Sequence, residues 1–199
     1  MLFSSIEGLL ESGVIDHNMS TLGLAAIQLA TAVGARPIAT TRNASKVQAL
    51  RDAGAKDVIN TKDLNLIKEV QRLTGGKGAE IIFDPVVGAQ FGELCGAAAQ
   101  NAEIFAYGAL GSGPSPFPLF IGLAKCLTFR TYSPAMITSF PERLLRAKEW
   151  ILPRLGDGQL KPVIAKIFSF RQMTEAHRYM ESNDQVGKIV VIRGSLQEV

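Results

Sequence analysis

The chain of 199 residues has two cysteines, Cys95 and Cys126, and no C-x-x-C spacing, which excludes a disulfide framework and a cysteine-rich zinc site. Both thiols are expected to be buried and reduced, as in the cytoplasm. Histidine is as scarce. His17 and His177 lie far apart without cysteine companions, so no metal site is expected. An excess of one charge is missing too: 21 Lys+Arg against 18 Asp+Glu leave +3, and no basic tract suggests nucleic acid as a partner. The first basic residue is Arg36, so the N-terminus lacks both the cationic start of a signal peptide and the arginines of a transit peptide. A cytoplasmic location is the expectation. The longest uncharged run, 104–124, contains Pro114, Pro116 and Pro118, which break a membrane-spanning helix.

What the chain does have is alternation. Ser4 with Glu7 makes a capping-box pattern opening a helix through Leu10. Val14 and Ile15 begin an apolar strand, a polar turn covers 17–21, and a helix over 22–30 is stopped by Gly34. The same rhythm predicts strands at 37–41, 57–60, 80–84, 103–107 and 127–132, with helices from Ser45 to near Gly54, over 63–73 and over 90–99, and a short one after a Gly/Pro-rich loop at 108–118. Nearly continuous apolar runs such as Glu80-Ile81-Ile82-Phe83-Asp84 belong to parallel strands covered on both faces. Six strands so spaced predict an α/β fold with a doubly wound parallel sheet of the Rossmann kind, binding ligands beyond the carboxyl ends of its strands. After Pro134 the order changes to a helix over 141–152, a strand over 163–168, a helix over 173–181 and a strand over 188–192.

The first turn should carry the dinucleotide fingerprint. Placing its last glycine at Gly23 puts Asn18 and Ser20 at the two earlier glycine positions. Amides at Thr21, Leu22 and Gly23 would then face an anion, with Ala25 and Ala26 allowing close packing of helix on sheet; the alternative is an ordinary strand-to-helix turn. At the end of the second strand, where an acid would bind the ribose of NAD, the residues are Thr41-Arg42-Asn43-Ala44-Ser45-Lys46. Arg42 and Lys46 suit a 2′-phosphate, or form a solvated cation pair. Asp84 reads as a cap on its own turn, with a catalytic acid as the other possibility. No nucleophile–base pair emerges, no triphosphate loop is present, and no catalytic residue is assigned.

The segments Leu22-Gly23-Leu24-Ala25-Ala26-Ile27-Gln28-Leu29-Ala30, Leu73-Thr74-Gly75-Gly76-Lys77-Gly78, Phe83-Asp84-Pro85-Val86, Leu160-Lys161-Pro162-Val163-Ile164 and Gly187-Lys188-Ile189-Val190-Val191 resemble the medium-chain dehydrogenase/reductase superfamily in its zinc-free quinone oxidoreductase-like branch. The resemblance implies an opening helix (1–12), a dinucleotide-binding Rossmann domain (13–140), a linking helix (141–162) and a C-terminal remnant (163–199) of a GroES-like domain whose other strands are missing. It implies NADPH as cofactor, held by Ser20, Thr21 and Leu22 at the pyrophosphate, Arg42 and Lys46 at the 2′-phosphate, Val86, Val87, Gly88 and Gly108 near the nicotinamide ribose, and Lys188 on the returning strand. The implied activity is zinc-independent hydride transfer to a small-molecule acceptor, a quinone or another activated carbonyl or alkene. The alternative is a catalytically inactive nucleotide-binding or dimerising remnant. A homodimer through the strand 127–132 is expected. Val87, where a second glycine is frequent, and Thr61, where many relatives have tyrosine, depart from the pattern.

Overall fold

The computed structural model describes residues 13–16, 21–182 and 184–193; the helix expected over 4–10 and most of the polar turn at 17–21 lie outside them. Strands β1 (Gly13–Asp16), β2 (Arg36–Thr41), β3 (Asp57–Asn60), β4 (Ala79–Asp84), β5 (Ala98–Ala106) and β6 (Thr128–Thr131) form a parallel sheet in the order β3-β2-β1-β4-β5-β6. That is the order of two mononucleotide-binding halves, with the switch point between β1 and β4. Neighbouring residues on each strand point to opposite faces, and both faces are apolar: Ile38, Ile82 and Ile104 enter one core, while Ala39, Ile81 and Phe105 pack on the other side.

Helices α1 (Thr21–Ala32) and α2 (Val47–Asp52) cover one face, and α3 (Leu66–Leu73) and α4 (Phe91–Ala97) cover the other. In α1 the residues turned to the sheet are Leu24, Ile27 and Ala30. Ala25, expected among the packing residues, faces outward into a cleft. The helix stops as the sequence predicts, at Gly34 with φ 80°. The α3 helix starts later than expected because the Asn65 side chain caps it, accepting from the Lys68 amide at 3.0 Å. The helix expected over 90–99 ends at Ala97, since Ala98 is already extended with ψ 151°. Strand β5 therefore begins five residues before its expected start at 103, with a register shift between its pairings Ala79↔Ala98 and Ile81↔Glu103.

Beyond β5 come α5 (Leu119–Lys125), β6, α6 (Ala135–Thr138) and α7 (Pro141–Gly156). The chain then forms β7 (Ile164–Ser169), α8 (Met173–Glu181) and β8 (Lys188–Ile192), with β7 and β8 paired in parallel as a separate two-stranded sheet. Helix α7 runs past the expected 152 and through Pro153.

The two thiols differ, contrary to the expectation of two buried ones. Cys95 is buried and Cys126 exposed. Cys126 is the left-handed C-cap of α5 (φ 53°), so its side chain turns out of the packed layer where the helix ends. Burial in first place, and the Asp84 carboxylate in second, push the Cys95 thiol up to about 11. Beside it the Lys125 ammonium donates to the carbonyls of Gly96 and Ala98, each at 2.6 Å, closing the C-terminal end of α4, and burial lowers its pKa. No helix among the described residues is long and apolar enough to cross a membrane.

Candidate functional site

The site lies at the carboxyl ends of the parallel strands. Strand β1 leads toward α1, whose first residues are Thr21, Leu22 and Gly23. Their amides open the helix beside the switch point, where helix N-termini attract anions. Gly23 is buried. Ser20 lies outside the described residues.

At the end of β2 a compact turn separates the two candidate cations. Asn43 Oδ1 accepts from the Ser45 amide at 3.0 Å and from the Ser45 hydroxyl at 2.8 Å, and Thr41 Oγ1 accepts from the Asn43 amide at 3.1 Å. These bonds fix the turn without using Arg42, whose side chain is exposed and has no hydrogen-bond or ion-pair partner among the described residues. Lys46 is half-buried, and its ammonium reaches the carbonyl of Gln185 at 3.5 Å. Thr61 joins the same end of the sheet, its amide donating to Thr41 O at 2.8 Å.

The turn after β4 is the most constrained part of the site. Asp84 is fully buried. Its carboxylate accepts from the Val86 amide at 2.8 Å and the Val87 amide at 3.0 Å, so it is a turn cap. The next amide, Gly88, donates to the Ser115 hydroxyl. All three amides at 86–88 are thus engaged inside the protein. Val87 stands at φ 56°, ψ −140°, a conformation that strains a β-branched residue. The turn can still offer carbonyl oxygens, which have two lone pairs each.

The loop after β5 is stitched to this turn. Leu110 and Gly111 donate their amides to Pro85 O at 3.0 Å and Val86 O at 2.8 Å. A Cβ on Gly108 would sit 2.5 Å from Pro85 O, and one on Gly111 2.8 Å from Val86 O. Only glycine allows the two loops to approach this closely. Ser115 and Gly111 were not singled out in the sequence; a Gly/Pro-rich loop between strand and helix was their one trace.

Lys188 lies elsewhere. It lines the flank of α1 together with Leu24, Ala25, Gln28 and Leu29. The structure therefore brings Val86, Val87, Gly88 and Gly108 together after β4 and β5, sets Arg42 and Lys46 around one turn after β2, and puts Lys188 beside the body of α1.

Residues 21–148 match the family described as zinc-binding dehydrogenase. The chain belongs to that family. A curated relative, quinone oxidoreductase-like protein 2 homolog of Nematostella vectensis, is 31% identical over 174 residues, covering 85% of this chain and 47% of its own length. A solved structure of an NAD-dependent alcohol dehydrogenase superposes with a TM-score of 0.83 at 28% identity, over 98% of this chain and 55% of that one. Quinone oxidoreductase of Escherichia coli, solved in complex with NADPH, shares the fold with a TM-score of 0.82 at 23% identity, over 92% of this chain and 57% of that one. The chain thus spans about half the length of these relatives. It is a member of the medium-chain dehydrogenase/reductase superfamily in its quinone oxidoreductase-like branch. The family's description invokes zinc, but among the described residues no three His, Cys, Asp or Glu side chains come together as a metal site requires.

Proposed function

We propose that this zinc-binding dehydrogenase family member binds NADPH and serves zinc-independent hydride transfer to a quinone or another activated carbonyl or alkene. The observation that carries this reading is the end of β2, where Arg42 and Lys46 flank a self-contained turn with no carboxylate between residues 41 and 46. A carboxylate there would repel a 2′-phosphate, whereas a guanidinium attracts it. Thr21, Leu22 and Gly23 would hold the pyrophosphate, and the carbonyl-presenting turn at 86–88 with Gly108 suits the donor NH₂ of a carboxamide. The bound dinucleotide supplies the hydride; the protein positions it against the acceptor. The scarcity of cysteine supports a cytoplasmic location.

The chain should prefer NADPH to NADH by on the order of tenfold, since charge-assisted bonds worth about 1.5–3 kcal/mol when well formed are weakened by exposure. Fluorescence titration of both cofactors, repeated with Arg42→Ala/Lys46→Ala, checks this. Equal affinities, or a preference untouched by the substitutions, would overturn the assignment.

We further propose a homodimer through 127–132. Strand β6 is an edge of the sheet, and the helix before it carries exposed Leu119, Phe120 and Leu123, with Phe120 86% exposed. Unpaired edges with apolar flanks associate. Phe129 is no probe of that edge, because its ring packs inward against Phe91 and Phe117, at 5.8 and 5.0 Å between centroids. Tyr132 donates its amide to Ala106 O across β5 and β6, so alternation directs the Thr131 amide outward. Sedimentation should give twice 21.4 kDa, and Thr131→Pro should return the monomer. A monomer at every micromolar concentration would sink the dimer.

A further inference from the structure

The turn at 86–88 offers a ligand acceptors and no backbone donors. Val86 and Val87 give their amide protons to the Asp84 carboxylate, and Gly88 gives its own to the Ser115 hydroxyl. A carboxamide laid against this turn can donate from its NH₂ to a carbonyl, but its oxygen finds no proton in the turn itself. Ser115 supplies the missing group. Its oxygen accepts from Gly88, its own proton has no acceptor among the described residues, and the residue is exposed. A hydroxyl keeps one donor beside its acceptor sites, and a hydroxyl that accepts a hydrogen bond becomes the better donor.

The segment that carries Ser115 is held at both ends. Upstream, Leu110 and Gly111 donate their amides to Pro85 O and Val86 O. Downstream, the rings of Phe117 and Phe129 meet edge to face, 5.0 Å between centroids and 61° between planes. Between these anchors Ser115 stands in the run Pro114-Ser115-Pro116. The proline before it has a fixed φ, and the proline after it confines Ser115 to extended backbone. A side chain on so restricted a segment loses little freedom when it takes up a ligand.

We propose that Ser115 sets how the nicotinamide lies: its hydroxyl donates to the carboxamide oxygen while the turn at 86–88 accepts from the carboxamide nitrogen. The pair presents one donor and one acceptor to a group that has one of each, so the carboxamide fits in one sense and not in the reverse. That sense fixes the rotation of the ring on its ribose, and with it the face turned to the acceptor. Ser115 is thus a positioning residue that acts on the cofactor directly. The inference rests on the dinucleotide reading given above and adds to it the group that orients the reactive ring.

Calorimetric titration of the whole chain tests it with NADPH, with the thionicotinamide analogue, whose sulfur is a weak acceptor, and with 2′-phospho-ADP-ribose, which lacks the nicotinamide. The unsubstituted chain should bind NADPH about three- to tenfold more tightly than the analogue, the range of one net hydrogen bond. Ser115→Ala should weaken NADPH by about that factor, weaken the analogue less than about twofold, and leave 2′-phospho-ADP-ribose unchanged. A turn merely loosened by loss of the Gly88 bond would weaken NADPH and the analogue alike, and that result overturns the proposal. So does NADPH binding that Ser115→Ala leaves unchanged. Should the variant fail to fold, the unsubstituted chain decides: equal affinities for NADPH and the analogue overturn the proposal there. If 2′-phospho-ADP-ribose does not bind the unsubstituted chain, the dinucleotide reading itself fails, and the role of Ser115 falls with it.

Discussion

Measured alone, this chain should oxidise NADPH with a simple quinone several hundredfold more slowly than a fusion carrying the N-terminal domain of a relative. The described candidate contacts to adenosine and pyrophosphate lie on the six-stranded sheet, its helices and its loops. Orienting an acceptor against the nicotinamide takes a second wall, and these 199 residues span 57% of the Escherichia coli quinone oxidoreductase whose fold they share. Orientation is worth roughly 7 kcal/mol or more of a barrier, so losing about half of it slows a reaction on the order of 400-fold. Binding should survive, because it needs one wall only. The experiment compares turnover numbers of the two proteins under saturating NADPH. Comparable values would show that the second wall is dispensable and would move the active site elsewhere. An oligomer exchanging β8 between chains would produce that same result, and sedimentation of the active species would reveal it.

Asp84→Ala should cost about 3–6 kcal/mol of stability, because two amides then lose a charged acceptor and hydrogen bonds to charged groups contribute about 1.5–3 kcal/mol each. For a chain of this size the melting temperature should fall by roughly 10 °C. Asp84→Asn should rescue little: its one carbonyl oxygen accepts a single amide, and its NH₂ meets the other donor to donor. The carboxylate also holds Val87 in its strained geometry, so the two residues should be coupled. Val87→Gly relieves strain of about 1–3 kcal/mol, and Asp84→Ala should hurt the Val87→Gly protein less than the original. Thermal melts of the two single variants and the double variant check both statements. A loss below about 1 kcal/mol for Asp84→Ala, or strict additivity, would show that the carboxylate does not hold the turn.

The dehydrogenase fold was legible because its signals are local. Apolar residues on both phases of each strand predict a sheet covered on two faces, and Ile38 with Ala39, or Ile81 with Ile82, do enter opposite layers. Gly34 ends α1 within a few residues of where its pattern stops, and the strand at 57–60 and the helix at 173–181 stand where expected. The role of Asp84 was legible too, since a carboxylate capping amides two and three residues on needs no distant partner.

What only the tertiary structure decided involves residues far apart in the chain or the choice of a face. That Cys126 is exposed follows from a left-handed helix end, and that Phe129 points inward follows from the rings of Phe91 at the start of α4 and Phe117 in the loop before α5. Ser115 reaches the Gly88 amide over 27 residues, and Gln28 clamps Lys161 over 133. Periodicity and capping act within a turn or two of chain, so they determine which elements form and where they stop. Which side chain meets which loop depends on how the elements close around the sheet, and no pattern of a few residues encodes that distance.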